Sequence, residues 1–141
     1  MENSSKALGY LSIARKGGLA ELGEEPVGAA ARAGKAYVIL VASDASDHTW
    51  RRAKSYAAGT EQQCLRLEET KEEMGFAVGR TSLAIAAVAD VQLALALVKA
   101  LPPKPENVQA LEVLAGKAAK AKKRQAEAKA HQRNLKKGKK K

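Results

Sequence analysis

Few residues of this chain have the types and spacing of bond-making chemistry, and each has a simpler reading. His48 stands in "SDASDHTW" beside Asp44 and Asp47, the composition of a proton relay. No motif places a Ser or Cys nucleophile beside it, however, and a general base needs a proton within hydrogen-bond reach. A surface helix position accounts for it better. Glu72 and Glu73 pair two carboxylates, but they follow Thr70 at capping-box spacing, where they complement a helix dipole. The single Cys64 in "QQCLRLE" excludes an internal disulfide, and with only His48 and His131 it makes a poor zinc set. Its expected role is a buried strand thiol. "GEEPVG", from Gly23, lacks the spacing and the Lys-Ser/Thr of a phosphate-binding loop. The chain is expected not to be an enzyme: no catalytic residue, no metal and no cofactor.

Charge offers more. The net charge is +10, and it is placed unevenly. Residues 1–105 hold 13 Lys/Arg against 12 Asp/Glu, whereas residues 106–141 hold 12 against 3. A nearly neutral globular part thus carries a basic tail, which calls for a polyanion partner. A merely solubilising tail is the plainer alternative. In the tail, Lys120, Lys122, Lys123, Arg124, Lys136 and Lys137 are the candidate contacts to an RNA backbone. Their contribution would be steeply salt-dependent and indifferent to sequence.

Specificity then has to come from the elements before the tail. Ser4 and Ser5 precede a helix with apolar Leu8, Leu11 and Ala14, ended by Gly17 and Gly18. "LAEL" suggests a short strand, and a second helix runs from about Glu24 to Ala33 and stops at Gly34. "AYVILVAS" is an unbroken apolar run, which fits a strand buried on both faces as in a parallel sheet. A Ser/Asp cluster caps a third helix that closes at Gly59, "QQCLRLE" alternates as a strand, and "TKEEMGFAVG" opens a short fourth helix. "SLAIAAVA" is a second apolar strand, after which Asp90 caps "VQLALALVKAL". Helices alternating with short buried strands predict a three-layer α/β/α sandwich on a small mixed sheet, with a basic C-terminal tail that is helical or disordered. The core must be aliphatic, since only 4% of residues are aromatic.

Three units follow: a domain over 1–101, a Pro-rich linker over 102–105 and the tail over 106–141. Val108, Leu111 and Leu114 are expected to dock a turn or two of the tail, and the rest to be a fraying, partly helical arm that orders on a partner. The stretch Leu83–Leu101 is apolar, but Asp90 near its middle argues against a membrane span. The polar start "MENSSKALGY" does not read as a signal peptide. The expectation is a cytoplasmic monomer with no membrane partner.

"LSIARKGGL", "GEEPVGAAARAGKAYVILVASDAS", "EEMGFAVGR" and "SLAIAAVAD" together resemble the ribosomal proteins L-seven-Ae and L-thirty-e, and most of all the bacterial YlxQ-type branch of that family. The resemblance covers residues 5–101 and leaves the tail out. It implies a sandwich that binds kink-turn RNA, a bent internal loop with tandem sheared G·A pairs, in ribosomal or other RNA. In the family, the N-terminus of the second helix enters the major groove with the pattern Gly-x-Asn-Glu-x-x-Lys. A loop before the last strand packs on bases turned out of the stack. By this resemblance the first part falls on Gly23, Glu24 and Glu25, and the second on Val78, Gly79, Arg80, Thr81 and Ser82. Arg32 and Lys35 are added as nearby cations able to meet phosphates.

The helix start departs from the family pattern. Glu25 stands at the Asn position, Pro26 at the Glu position and Ala29 at the Lys position. Guanine offers N7 and O6 acceptors in the major groove, which call for a donor. An ionised glutamate, a proline and an alanine supply none. The two glutamates can equally be dipole-complementing residues of an ordinary helix start. The leading expectation is an RNA-binding protein associated with the ribosome or translation. The alternative is a protein-interaction module whose tail binds RNA or ribosomes without specificity.

Overall fold

The computed structural model describes residues 2–139, with side chains from residue 6 to residue 132. Lys136 and Lys137 therefore lie outside the described side chains. Six helices and four strands alternate: α1 (Glu2–Lys16), β1 (Ala20–Leu22), α2 (Glu24–Arg32), β2 (Val38–Val41), α3 (Asp47–Ala57), β3 (Gln63–Arg66), α4 (Lys71–Ala77), β4 (Ile85–Val88), α5 (Val91–Lys99) and α6 (Pro105–Lys139). Ser4 and Ser5 lie inside the first helix, which starts earlier than its sequence suggests.

The strand order is β1-β4-β2-β3. β2 pairs in parallel with β3 and antiparallel with β4, and β4 pairs antiparallel with β1. The unbroken apolar run of β2 therefore reflects burial on both faces in a mixed sheet, not a parallel one. All four residues of β2 and all four of β4 are buried. α2 and α3 pack on one face, while α1, α4 and α5 form the layer on the other. This is the three-layer α/β/α sandwich that the alternation of elements predicts.

Local chemistry sets the helix starts. Thr70 and Glu73 form the full capping box of α4, and the Asp90 carboxylate accepts the Leu93 N–H at 2.9 Å at the start of α5. In the Ser/Asp cluster it is Ser46 that caps α3, accepting from the Thr49 N–H. Asp44 acts between elements instead. Its Oδ1 accepts the Lys71 N–H at 2.8 Å, tying the loop after β2 to the start of α4.

Of the two expected forms the tail takes the helical one, more fully than a fraying arm. It is one continuous helix from Pro105, and it passes through Gly116 without a break. Ala, Lys, Glu and Gln favour helix intrinsically, and a docked first half removes the cost of nucleation for the rest. The docking stripe is Asn107, Ala110, Leu114 and Ala118, with Leu111 and Ala121 alongside, all packed mainly against α5. Val108, expected in that stripe, is 40% exposed, because a helical step of about 100° turns it away from its buried neighbour Asn107. Asn107 is satisfied through its Nδ2, which donates to the Pro102 carbonyl at 2.9 Å. Lys104 pairs with Glu68 after β3, and Lys117 pairs with Glu61 before it. The helix therefore runs alongside the outer strand from end to end. Among the described residues, no helix is long and apolar enough to cross a membrane.

Candidate nucleic-acid interface

The sheet register decides which candidate residues meet. Leu22 of β1 stands opposite Ala86 of β4, so the chain leaving β1 turns at Gly23 beside Ile85, whose carbonyl accepts the Gly23 N–H at 3.0 Å. Val41, at the end of β2, stands opposite the same Ile85. The start of α2 and the loop 79–84 that feeds β4 are thus brought to one end of the sheet. The Ser43–Ser46 loop and the start of α4 share that end, since the Lys71 carbonyl accepts the Leu83 N–H at 2.9 Å.

Gly23 adopts φ 97°, a conformation open to glycine and strained for other residues, which lets the chain enter α2 directly from the strand. Glu24 accepts a hydrogen bond from the Thr49 hydroxyl of α3 at 3.3 Å. Its carboxylate is engaged in fixing α2 against α3. Glu25 is exposed and has no such partner among the described side chains. Pro26 and Ala29 are exposed on the same helix start.

The second half of the candidate surface is held by α4. The Gly75 carbonyl accepts the Val78 N–H at 3.0 Å and the Arg80 N–H at 2.8 Å, which folds the loop back over the helix. Gly79 turns at φ 74°. Arg80, Thr81 and Ser82 are exposed, as a contact loop requires. Val78 is only 2% exposed, so its side chain belongs to the core and supports the loop from beneath. Its expected role as a contact residue is corrected accordingly.

The two added cations separate. Arg32 lines a cleft of about 400 Å³ between α2 and α3, shared with Glu24, Glu25, Arg52 and Tyr56. Lys35 lies in the turn that leads into β2, at the opposite end of the sheet from Gly23, and does not join the surface. Arg52 is a residue that sequence reasoning missed. Its Nε donates to the Tyr56 hydroxyl at 3.5 Å, and the Tyr56 contact, followed by the Glu24 charge, raises its pKa. Nothing in the linear order announces this pairing of α2 with α3. Phe76 is a second omission: it is 87% exposed, one helical turn from the loop, and borders an open hollow shared with Leu8 and Glu72. A seven-residue helix is too short for its periodicity to mark an outward phenylalanine. Trp50, by contrast, is already covered by Lys54 and Arg66, at 5.3 and 5.4 Å from its ring.

His48 is exposed and Cys64 half-buried. Burial pushes the Cys64 thiol up to about 12, which disfavours the thiolate form. Lys120, Lys122, Lys123 and Arg124 are exposed on α6.

No family model and no curated protein matches the chain. Solved structures do. A Bacillus halodurans protein of unknown function superposes with a TM-score of 0.64 at 22% identity, over 68% of this chain and 96% of that one. A Giardia lamblia 15.5 kD RNA-binding protein superposes with a TM-score of 0.55 at 16% identity, over 81% of this chain and 91% of that one. The likeness is one of fold. It covers nearly the whole of each neighbour.

Proposed function

We propose that this protein binds structured RNA, gripping an internal loop of the kink-turn class with one end of its sheet, and that it works in translation. The observation that carries the reading is the convergence of the Gly23 turn and the Arg80–Ser82 loop at Ile85, on a fold like that of an RNA-binding protein. Two separated contact elements on one rigid edge suit a bent RNA, which presents a groove and an unstacked base side by side. Exposed Lys and Arg on α6 add a salt-dependent hold on phosphates.

With Pro26 and Ala29 at the helix start, base discrimination rests on the loop and on backbone groups rather than on side-chain donors. A gel shift of the full chain with a kink-turn RNA and a straight duplex of equal length tests the reading. Tighter binding of the kinked RNA, persisting in high salt, is the expected result. Ala29→Lys restores a donor at an exposed position and should tighten the kinked RNA by roughly tenfold, a typical value for one good base contact. Equal affinity for bent and straight RNA would leave only the electrostatic module, and the specific reading would fall.

A further inference from the structure

Away from this surface, three helices contribute basic or polar residues to one open cleft of about 430 Å³. α1 supplies Lys6 and Tyr10, one turn apart. α5 supplies Gln92 and Lys99 on a single stripe, and α6 supplies Lys122. None of the described lining residues is acidic. Among the described residues, none of the three lysines forms an ion pair.

The position of Lys122 is fixed by the fold. Gln92 Nε2 donates to the Ala118 carbonyl at 3.3 Å, Ala118 itself is buried, and Lys122 follows it by one helical turn. The α6 backbone is therefore pinned to α5 where it delivers its cation to the cleft. Lys99 alone would be explained as a cation at the C-terminus of α5. That explanation does not reach Lys6 or Lys122, which come from other helices. Among the described residues three like charges line one cleft without a counter-charge, an arrangement that a bound anion would balance.

We propose that this cleft is a second RNA site, which takes consecutive phosphates of an RNA backbone and hands the strand on to α6. The inference rests on the RNA-binding reading above and extends it to another face of the protein. The cleft is too large for a lone phosphate ion and falls within the size range of sites for small organic ligands. It is continuous with a track, because Lys129 lies two turns beyond Lys122 on the same side of α6 and is exposed. A lipid surface fits poorly. From Lys122 to Gln132 the exposed helix carries only Lys, Arg, Gln, Glu, His and Ala, with no large apolar side chain to enter a bilayer.

The test uses the full chain, a 24-bp straight RNA duplex and, as a separate arm, inorganic phosphate. Lys6→Ala/Lys99→Ala/Lys122→Ala is compared with Lys120→Ala/Lys123→Ala/Arg124→Ala, which removes the same charge from other faces of α6. The cleft variant should bind the duplex at least tenfold more weakly than the control. Its slope of log Kd against log salt should fall by about 2–3, roughly one for each phosphate no longer engaged. Competition by millimolar inorganic phosphate should be weak. Equal weakening and equal slopes in the two variants would overturn the cleft while leaving kink-turn preference intact. Displacement of the duplex by inorganic phosphate at low millimolar concentration would overturn the RNA assignment in favour of a small-anion site. A wild-type chain that binds neither duplex nor kinked RNA would remove both readings. All of these side chains are exposed or line the open cleft, so unchanged thermal unfolding verifies that the variants are folded.

Discussion

A Cβ placed on Gly75 would stand 2.7 Å from the backbone nitrogen of Ser82 and 2.9 Å from the Arg80 carbonyl oxygen. Loop and helix touch backbone to backbone, and only glycine permits it. Gly75→Ala should lift the 80–82 loop off α4, costing about 1–3 kcal/mol in stability as an overpacked site does. Affinity for kinked RNA should fall with it. Gly28→Ala is the matched control: its Cβ meets the ring tip of Tyr56 at 3.1 Å, a side chain able to move, and alanine favours the helix. Thermal unfolding and a gel shift on both variants separate the two cases.

Arg80 sits in that loop with its side chain exposed. Arg80→Ala should weaken binding of kinked RNA about tenfold, whereas Lys123→Ala should change it two- to threefold. Equal effects, measured by titration at fixed salt, would reduce Arg80 to one cation among many.

α6 is part of the core as well as a basic arm. Leu114 is fully buried against the α5 layer, so Leu114→Ala should cost about 2–5 kcal/mol of unfolding free energy. Removing everything after residue 104 should be worse, since it takes away Ala110 and Ala118 as well and uncovers the face of α5 on which they pack. Removing residues after Ala121 should leave the unfolding midpoint in urea nearly unchanged. If that midpoint were indifferent to Leu114→Ala, the docking of α6 would be refuted.

The Cys64 thiol is raised by burial from 9.0 to about 12, with Lys54 pulling the other way. The unfolded chain releases this proton above pH 9 and the folded chain does not. The corresponding stability is complete below about pH 9 and is lost as pH climbs towards 12. Denaturant midpoints at pH 7.5 and 10.5 should fall further for the wild type than for Cys64→Ala. At pH 7.5 the folded thiol should react with iodoacetamide far more slowly than the denatured one.

The layers of the fold are legible in the sequence because they rest on local signals: apolar runs at β2 and β4, the Thr70–Glu73 box, and Asp90 at the start of α5. The mixed sheet direction is not legible in β2 itself, since burial on both faces looks the same whichever way a neighbour runs. Val108 is misplaced by sequence because one helical step decides between core and water, and the phase of α6 is set by Asn107 and Leu114 meeting α5. Of the proposed contact surface, Gly23 and Arg80–Ser82 stand out through their motif. The burial of Val78 and the isolation of Lys35 need the register that fixes which ends of strands coincide. The partners of Arg52 and Lys122 depend on helices far apart in the chain, and no spacing encodes them.

From Lys122 to Lys139 the last helix extends about 27 Å, at 1.5 Å per residue. A helix clamped at its root and continuous to its tip acts as a ruler, so on the proposed RNA-binding reading two contacts on one RNA would have to lie a set distance apart to be engaged together. Four residues inserted after Arg124 would move the tip about 6 Å outward, and a proline at 126 would break the scale. The protein would then select its RNA by spacing as well as by shape.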